Sequence, residues 1–143
     1  MTDALAELTG VSRTYQKGRT RVEVLHELDL TIPRGDFLAI MGPSGSGKTT
    51  LLNLLGGLDR PSSGRVLVGG AELSSMSNSQ LSKWRATHVG FIFQFYNLLP
   101  VLSAQKNVEL PLLLTSFSGR ERSERAAIAL EIVGLSDLSL IHI

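Results

Sequence analysis

The sequence predicts an α/β fold in which an antiparallel β layer precedes a strand–loop–helix unit, and three observations predict it. Phe37-Leu38-Ala39-Ile40-Met41 is a short continuous apolar run, the pattern of a strand buried on both faces. It leads into Gly42-Pro43-Ser44-Gly45-Ser46-Gly47-Lys48-Thr49, whose G-x-x-x-x-G-K-T spacing is that of a P-loop. Behind the loop, Leu51, Leu52, Leu54, Leu55 and Leu58 recur at helical spacing, with Gly56-Gly57 near the expected helix end.

The loop's chemistry follows from its residue types. Glycines let the backbone turn tightly and approach a ligand, because no Cβ intervenes. Inward-pointing N–H groups then form a concave anion site, and the helix N-terminus adds partial positive charge. Lys48 is placed to meet β- and γ-phosphates as a point charge, and the Thr49 hydroxyl to ligate Mg²⁺.

Ahead of the loop, residues 4–14 carry a strand signal that ends near Arg13-Thr14-Tyr15. Between 22 and 32, Val22, Val24, Leu28, Leu30 and Ile32 share one parity, with Glu23, Glu27, Asp29 and Thr31 on the other. Lys17-Gly18-Arg19-Thr20 reads as a solvated hairpin tip and Pro33-Arg34-Gly35-Asp36 as a turn. Some forty residues of β pattern therefore precede the P-loop strand. Tyr15 lies in that layer, where an aromatic face has the chemistry to stack on a nucleotide base.

Beyond the P-loop helix, Arg60–Gly64 reads as a turn, and Val66-Leu67-Val68 with Gly69-Gly70 as a short strand and its hairpin. Ser77 with Gln80 forms a capping-box pattern opening a helix through about Ala86, on which Trp84 reads as packing. Val89-Gly90-Phe91-Ile92-Phe93 is a second buried-strand run, ending on Gln94. Ligands of open α/β sheets gather at strand carboxyl ends, within reach of such a side chain. Phe95–Pro100 is apolar for a loop, so it either tucks under the next helix or meets another protein. Ser103 caps a helix that Pro111 should break, and Ser118 with Glu121 opens another that runs to Val133, with Gly134 at its end.

Composition narrows the function. Over 143 residues, 43% are hydrophobic and 19% charged, which is ordinary for a globular domain with one core. With no cysteine there is no disulfide, thiol nucleophile or Cys-based metal site. The net charge of +1, from 14 basic and 13 acidic residues, argues against a nucleic-acid partner. No basic segment followed by an apolar one opens the chain, and no apolar run reaches the ~20 residues of a membrane span. A cytoplasmic or at most peripheral protein is expected.

Taken together, these residues resemble the ATP-binding subunit of an ABC transporter, from about residue 5 to Leu138. Gly42 to Thr49 looks like the Walker A motif, Tyr15 like the A-loop aromatic, and Gln94 like the Q-loop glutamine. Two further stretches, Gly56–Gly64 and Phe91–Pro100, look like the branch serving lipoprotein release, macrolide export and antimicrobial-peptide export. The fold this implies is that of a P-loop NTPase with an N-terminal antiparallel β layer, the start of a helical subdomain and an incomplete core sheet. Residues 1–138 form a partial nucleotide-binding domain, with the β layer and P-loop core over 1–94 and the Q-loop and helical subdomain over 95–138.

The resemblance also implies a site. ATP is held by Tyr15 and by Gly42, Pro43, Ser44, Gly45, Ser46, Gly47, Lys48, Thr49 and Thr50. Mg²⁺ sits between Thr49 and Gln94, and Lys48 and Gln94 are the catalytic candidates. Two ATP-binding subunits close head to tail as a homodimer. A transmembrane permease subunit docks on the Phe95–Leu102 loop, at the inner face of the cell membrane. The sequence also departs from the family pattern, with no Leu-Ser-Gly-Gly-Gln segment, no strand ending in Asp-Glu, and a 139–143 tail that does not match. A hydrolysis-deficient fragment of marginal stability is expected from these residues taken alone. Three rivals are weighed: a P-loop phosphotransferase with Arg120, Arg122 and Arg125 as its lid, a non-hydrolysing nucleotide-binding module, and a soluble ABC protein acting on ribosomes or DNA, which the near-neutral charge disfavours.

Overall fold

A computed structural model describes residues 3–95 and 97–138 of the chain. The 139–143 tail, with His142, and Tyr96 of the apolar loop lie outside the described residues. The chain divides into two compact units, Met1–Phe91 and Ile92–Ile143.

The first unit is built on strands β1 (Ala4–Lys17) and β2 (Thr20–Pro33), both longer than the 4–14 and 22–32 read from periodicity. The two residues Gly18-Arg19 join them, with Gly18 at a positive φ of 61°. β3 (Ser63–Val68) and β4 (Ala71–Glu72) complete an antiparallel sheet in the order β2-β1-β3-β4. β1 is irregular, with register shifts against β2 between Leu8 and Thr14. Gly64 in β3 has φ +84°, and a Cβ there would stand 2.3 Å from the Gly10 carbonyl oxygen. No other residue fits that crossing of two backbones.

One apolar face of the sheet makes the core. Leu8, Val11 and Val66 pack with Leu51 and Leu54 of α1 (Lys48–Leu55), with Leu73, and with Leu81 and Trp84 of α2 (Asn78–His88). The capping box of α2 forms as the sequence indicates. Ser77 Oγ accepts from the Gln80 amide at 3.3 Å, and the Gln80 side chain accepts from the Ser77 amide at 2.7 Å. Trp84 is buried, stacked on His88.

Two runs expected to be buried strands are not strands. Residues 37–41 and 89–93 take no place in the sheet. Phe37 and Met41 are 96% and 89% exposed. A strand satisfies its backbone through neighbours, and no described strand lies beside 37–41, so apolar composition alone does not make one. Ile40 and Val89 still turn inward to pack against the core. The sheet is thus the antiparallel layer, and the core sheet is incomplete, as the resemblance implies.

The second unit is helical. α3 (Ala104–Glu109) starts on Ser103, whose Oγ accepts from the Lys106 amide, and gives way to a tighter turn over 110–114 at Pro111. α4 (Gly119–Ile132) opens with the Ser118/Glu121 capping box. Asn107 is buried and ties down the preceding loop. Its Nδ2 donates to the carbonyls of Leu99, Leu102 and Ser103, and its Oδ1 accepts from the Leu99 amide at 2.8 Å. Phe95, Leu98, Leu99 and Val101 are nonetheless exposed, so the apolar loop does not tuck away.

Candidate functional site

The glycine loop curls over the start of α1. Gly47 is buried at φ +90°, and a Cβ there would come within 3.0 Å of the Val24 carbonyl and the Leu25 side chain. Glycine at this position lets the loop seat directly on β2. The amides of the first helical turn have no intrahelical acceptor, no side chain caps them, and no acidic residue sits among them. The macrodipole therefore adds to these N–H groups unopposed.

Lys48 closes the loop on itself. Its Nζ donates to the Gly42 carbonyl at 2.8 Å and the Pro43 carbonyl at 2.7 Å, with Ser46 Oγ at 3.5 Å. The ammonium is therefore held at the loop rather than swinging free in solvent. Beside it lies a hollow of about 580 Å³ lined by Val24, Ser44, Gly45, Gly47, Lys48, Thr49 and Thr50. That lining has one cation, three hydroxyls and no carboxylate, a composition that attracts an anion. Gly42, Pro43 and Ser46 line a second hollow that also includes Gly47 and Lys48. Every P-loop residue singled out from the sequence thus lines one or both of two hollows that share Gly47 and Lys48. Val24 was missed, because nothing in a strand's alternation says which member will face a loop twenty residues on.

Tyr15 sits on β1 opposite Val22 and does not line the hollow beside Lys48. Its hydroxyl donates to Asp59 Oδ2 at 2.6 Å, and the Arg13 guanidinium lies over its ring, 4.4 Å from the centroid. Arg13 also grips Asp59 through two bonds, Nε at 2.9 Å and Nη2 at 2.7 Å. Burial opposes ionisation of Asp59. The Tyr15 hydroxyl, the Arg60 amide and Arg13 outweigh it and hold the carboxyl below its ordinary pKa. Asp59 and Arg13 were not read from the sequence, since forty-odd residues separate them from their partners.

Gln94 lies in a bend of the second unit and is exposed. The three arginines considered for a lid are engaged on α4 and its start. Arg120 pairs with Glu124, Arg122 donates to the Phe117 carbonyl, and Arg125 lies over the Phe117 ring at 4.0 Å. That is a solvated helix face with local contacts. Among the described residues, no group of three His, Cys, Asp or Glu side chains could cage a metal.

A glycine loop seated on a strand, a lysine at its mouth and a helix N-terminus behind it define a P-loop domain. The comparisons are more specific: the ABC transporter family matches residues 25–143, and the chain belongs to that family. It is 46% identical, over 95% of its length, to an uncharacterized ABC transporter ATP-binding protein, YknY, of Bacillus subtilis, and covers 59% of that protein. It is 50% identical, over 97% of its length, to the macrolide export ATP-binding/permease protein MacB 2 of Aeromonas hydrophila, and covers 22% of it. Among solved structures, the ATP-binding cassette MJ0796, in a dimeric post-hydrolysis state bound to ADP and Pi, superposes with a TM-score of 0.83 at 39% identity. That match covers 94% of this chain and 60% of the other. The chain therefore spans about three fifths or less of the relatives it matches.

Proposed function

We propose that this chain binds ATP through its P-loop and is the ATP-binding part of an exporter driven by ATP hydrolysis. The observation that carries the reading is the cradle itself. Lys48 is poised on loop carbonyls beside an uncapped helix N-terminus, in a hollow that has hydroxyls and a cation but no carboxylate. In this reading the Gly42–Thr50 backbone and hydroxyls hold the phosphates, Lys48 meets the terminal ones, and Tyr15 carries the base. Mg²⁺ bound with the nucleotide would neutralise charge on the transferring phosphoryl group. Thr49 is the P-loop residue that would hold it. The lack of an acidic cage among the described residues suits a cation bound mainly through phosphates and few protein oxygens.

Hydrolysis is proposed for the whole transporter, with Lys48 and Gln94 as this chain's contributions. Two ATP-binding subunits would pair as a homodimer, as the MJ0796 cassette does. The apolar loop Phe95–Leu102, whose Phe95, Leu98, Leu99 and Val101 are exposed and whose end is tied to Asn107 through Leu99 and Leu102, would dock a transmembrane permease subunit at the inner face of the cell membrane. No described helix is long and apolar enough to cross a membrane itself. A small-molecule phosphotransferase fits less well, because Arg120, Arg122 and Arg125 are engaged locally. Calorimetric titration of ATP against the wild-type chain and Lys48→Ala tests the core of this reading. Tight binding should disappear in the variant, and an unchanged affinity would overturn the assignment.

A further inference from the structure

Arg13, Tyr15 and Asp59 form a closed triangle. The Tyr15 hydroxyl and the Arg13 guanidinium both end on the Asp59 carboxylate, and the guanidinium also covers one face of the ring. Both carboxylate oxygens are used, with Oδ1 also accepting from the Arg60 amide at 2.8 Å. The segment that carries Asp59 is itself anchored. The amides of Leu58 and Asp59 both donate to the Asn53 carbonyl of α1, at 2.8 Å and 3.1 Å. A chain of hydrogen bonds therefore runs from the helix behind the P-loop to the tyrosine ring on β1.

We propose that Asp59 is a positioning residue that sets the Tyr15 ring for a nucleotide base, with Arg13 as the plate behind it. The proposal rests on the reading of Tyr15 as the base platform. Two constraints fix the ring. The hydroxyl bond fixes its tip, and the guanidinium occupies one face, so a base meets the opposite face. A base stacks on an aromatic face whatever its hydrogen-bonding edge, so the geometry supplies affinity for the base more than choice among bases. Because Asp59 hangs from α1, whose N-terminus lines the phosphate-side hollow, one helix registers both ends of the ligand. The role is separate from phosphate binding, and that separation makes it testable.

Two probes, ATP and inorganic tripolyphosphate, separate base from phosphate when titrated against the full chain. Asp59→Asn should weaken ATP binding about three- to tenfold and leave tripolyphosphate affinity unchanged. Tyr15→Phe, which keeps the ring and loses the hydroxyl, should behave alike, and the double variant should be no worse than either single one. If Asp59→Asn weakens both probes equally, the carboxylate is a general structural group and the proposal is overturned. If Tyr15→Ala weakens ATP binding while Asp59→Asn does not, Tyr15 carries the base without the clamp and the proposal again fails. If Tyr15→Ala changes neither probe, the base-platform reading itself falls and takes the proposal with it.

Discussion

Val66 in β3 and Phe37 ahead of the P-loop both belong to apolar runs that favour β structure, yet one is 1% exposed and the other 96%. The difference lies in their neighbours. Val66 stands opposite Leu8 of β1, and the sheet brings both against α1 and α2. Residues 37–41 have no strand beside them among the described residues. A strand is a relation between segments, and periodicity in one segment cannot supply the other half of the ladder.

The P-loop adds a second contrast. The segment leading into it has no strand beside it among the described residues, while the loop itself is set in place by local means: Gly47 against β2, Lys48 on two carbonyls, and the start of α1. Its shape depends on glycine geometry and a helix start more than on the strand behind it. This is why the site is intact where the sheet around it is incomplete.

Substitutions in the two regions should separate sharply. Leu54→Ala, in the middle of the buried cluster, should cost about 2–5 kcal/mol of unfolding free energy, from lost transfer plus the cavity left behind. Denaturant unfolding reads that directly. Phe37→Ser should fall at the other extreme, within about 0.5 kcal/mol of wild type, and should lower the tendency to aggregate as measured by light scattering. Equal losses at the two positions would mean that residues 37–41 are buried in solution and that the contrast is wrong.

Local signals were legible in the sequence. The Ser77/Gln80 and Ser118/Glu121 capping boxes, the Gly18-Arg19 hairpin and the P-loop each depend on residues a few positions apart, and the structure forms all four. The helix break at Pro111 was legible for the same reason. What could not be read depends on distant partners. Asp59 meets Tyr15 across 44 positions, and no spacing rule links an acidic residue past a helix end to an aromatic on the first strand. The runs at 37–41 and 89–93 show the same dependence: their composition reads as strand, and only the resemblance, with its incomplete core sheet, pointed to missing neighbours.

The loop from Gly42 to Thr50 is proposed as the seat of the nucleotide's phosphates, while the run before it stands outside the sheet. Amide hydrogen exchange of the full chain, with and without saturating ATP, tests both halves at once. Exchange should be slow in the paired stretches of β1 and β2 throughout and fast over residues 37–41 without nucleotide. Exchange over 42–50 should slow markedly when ATP is added. An unchanged exchange rate across 42–50 at saturating ATP would contradict the proposed seat.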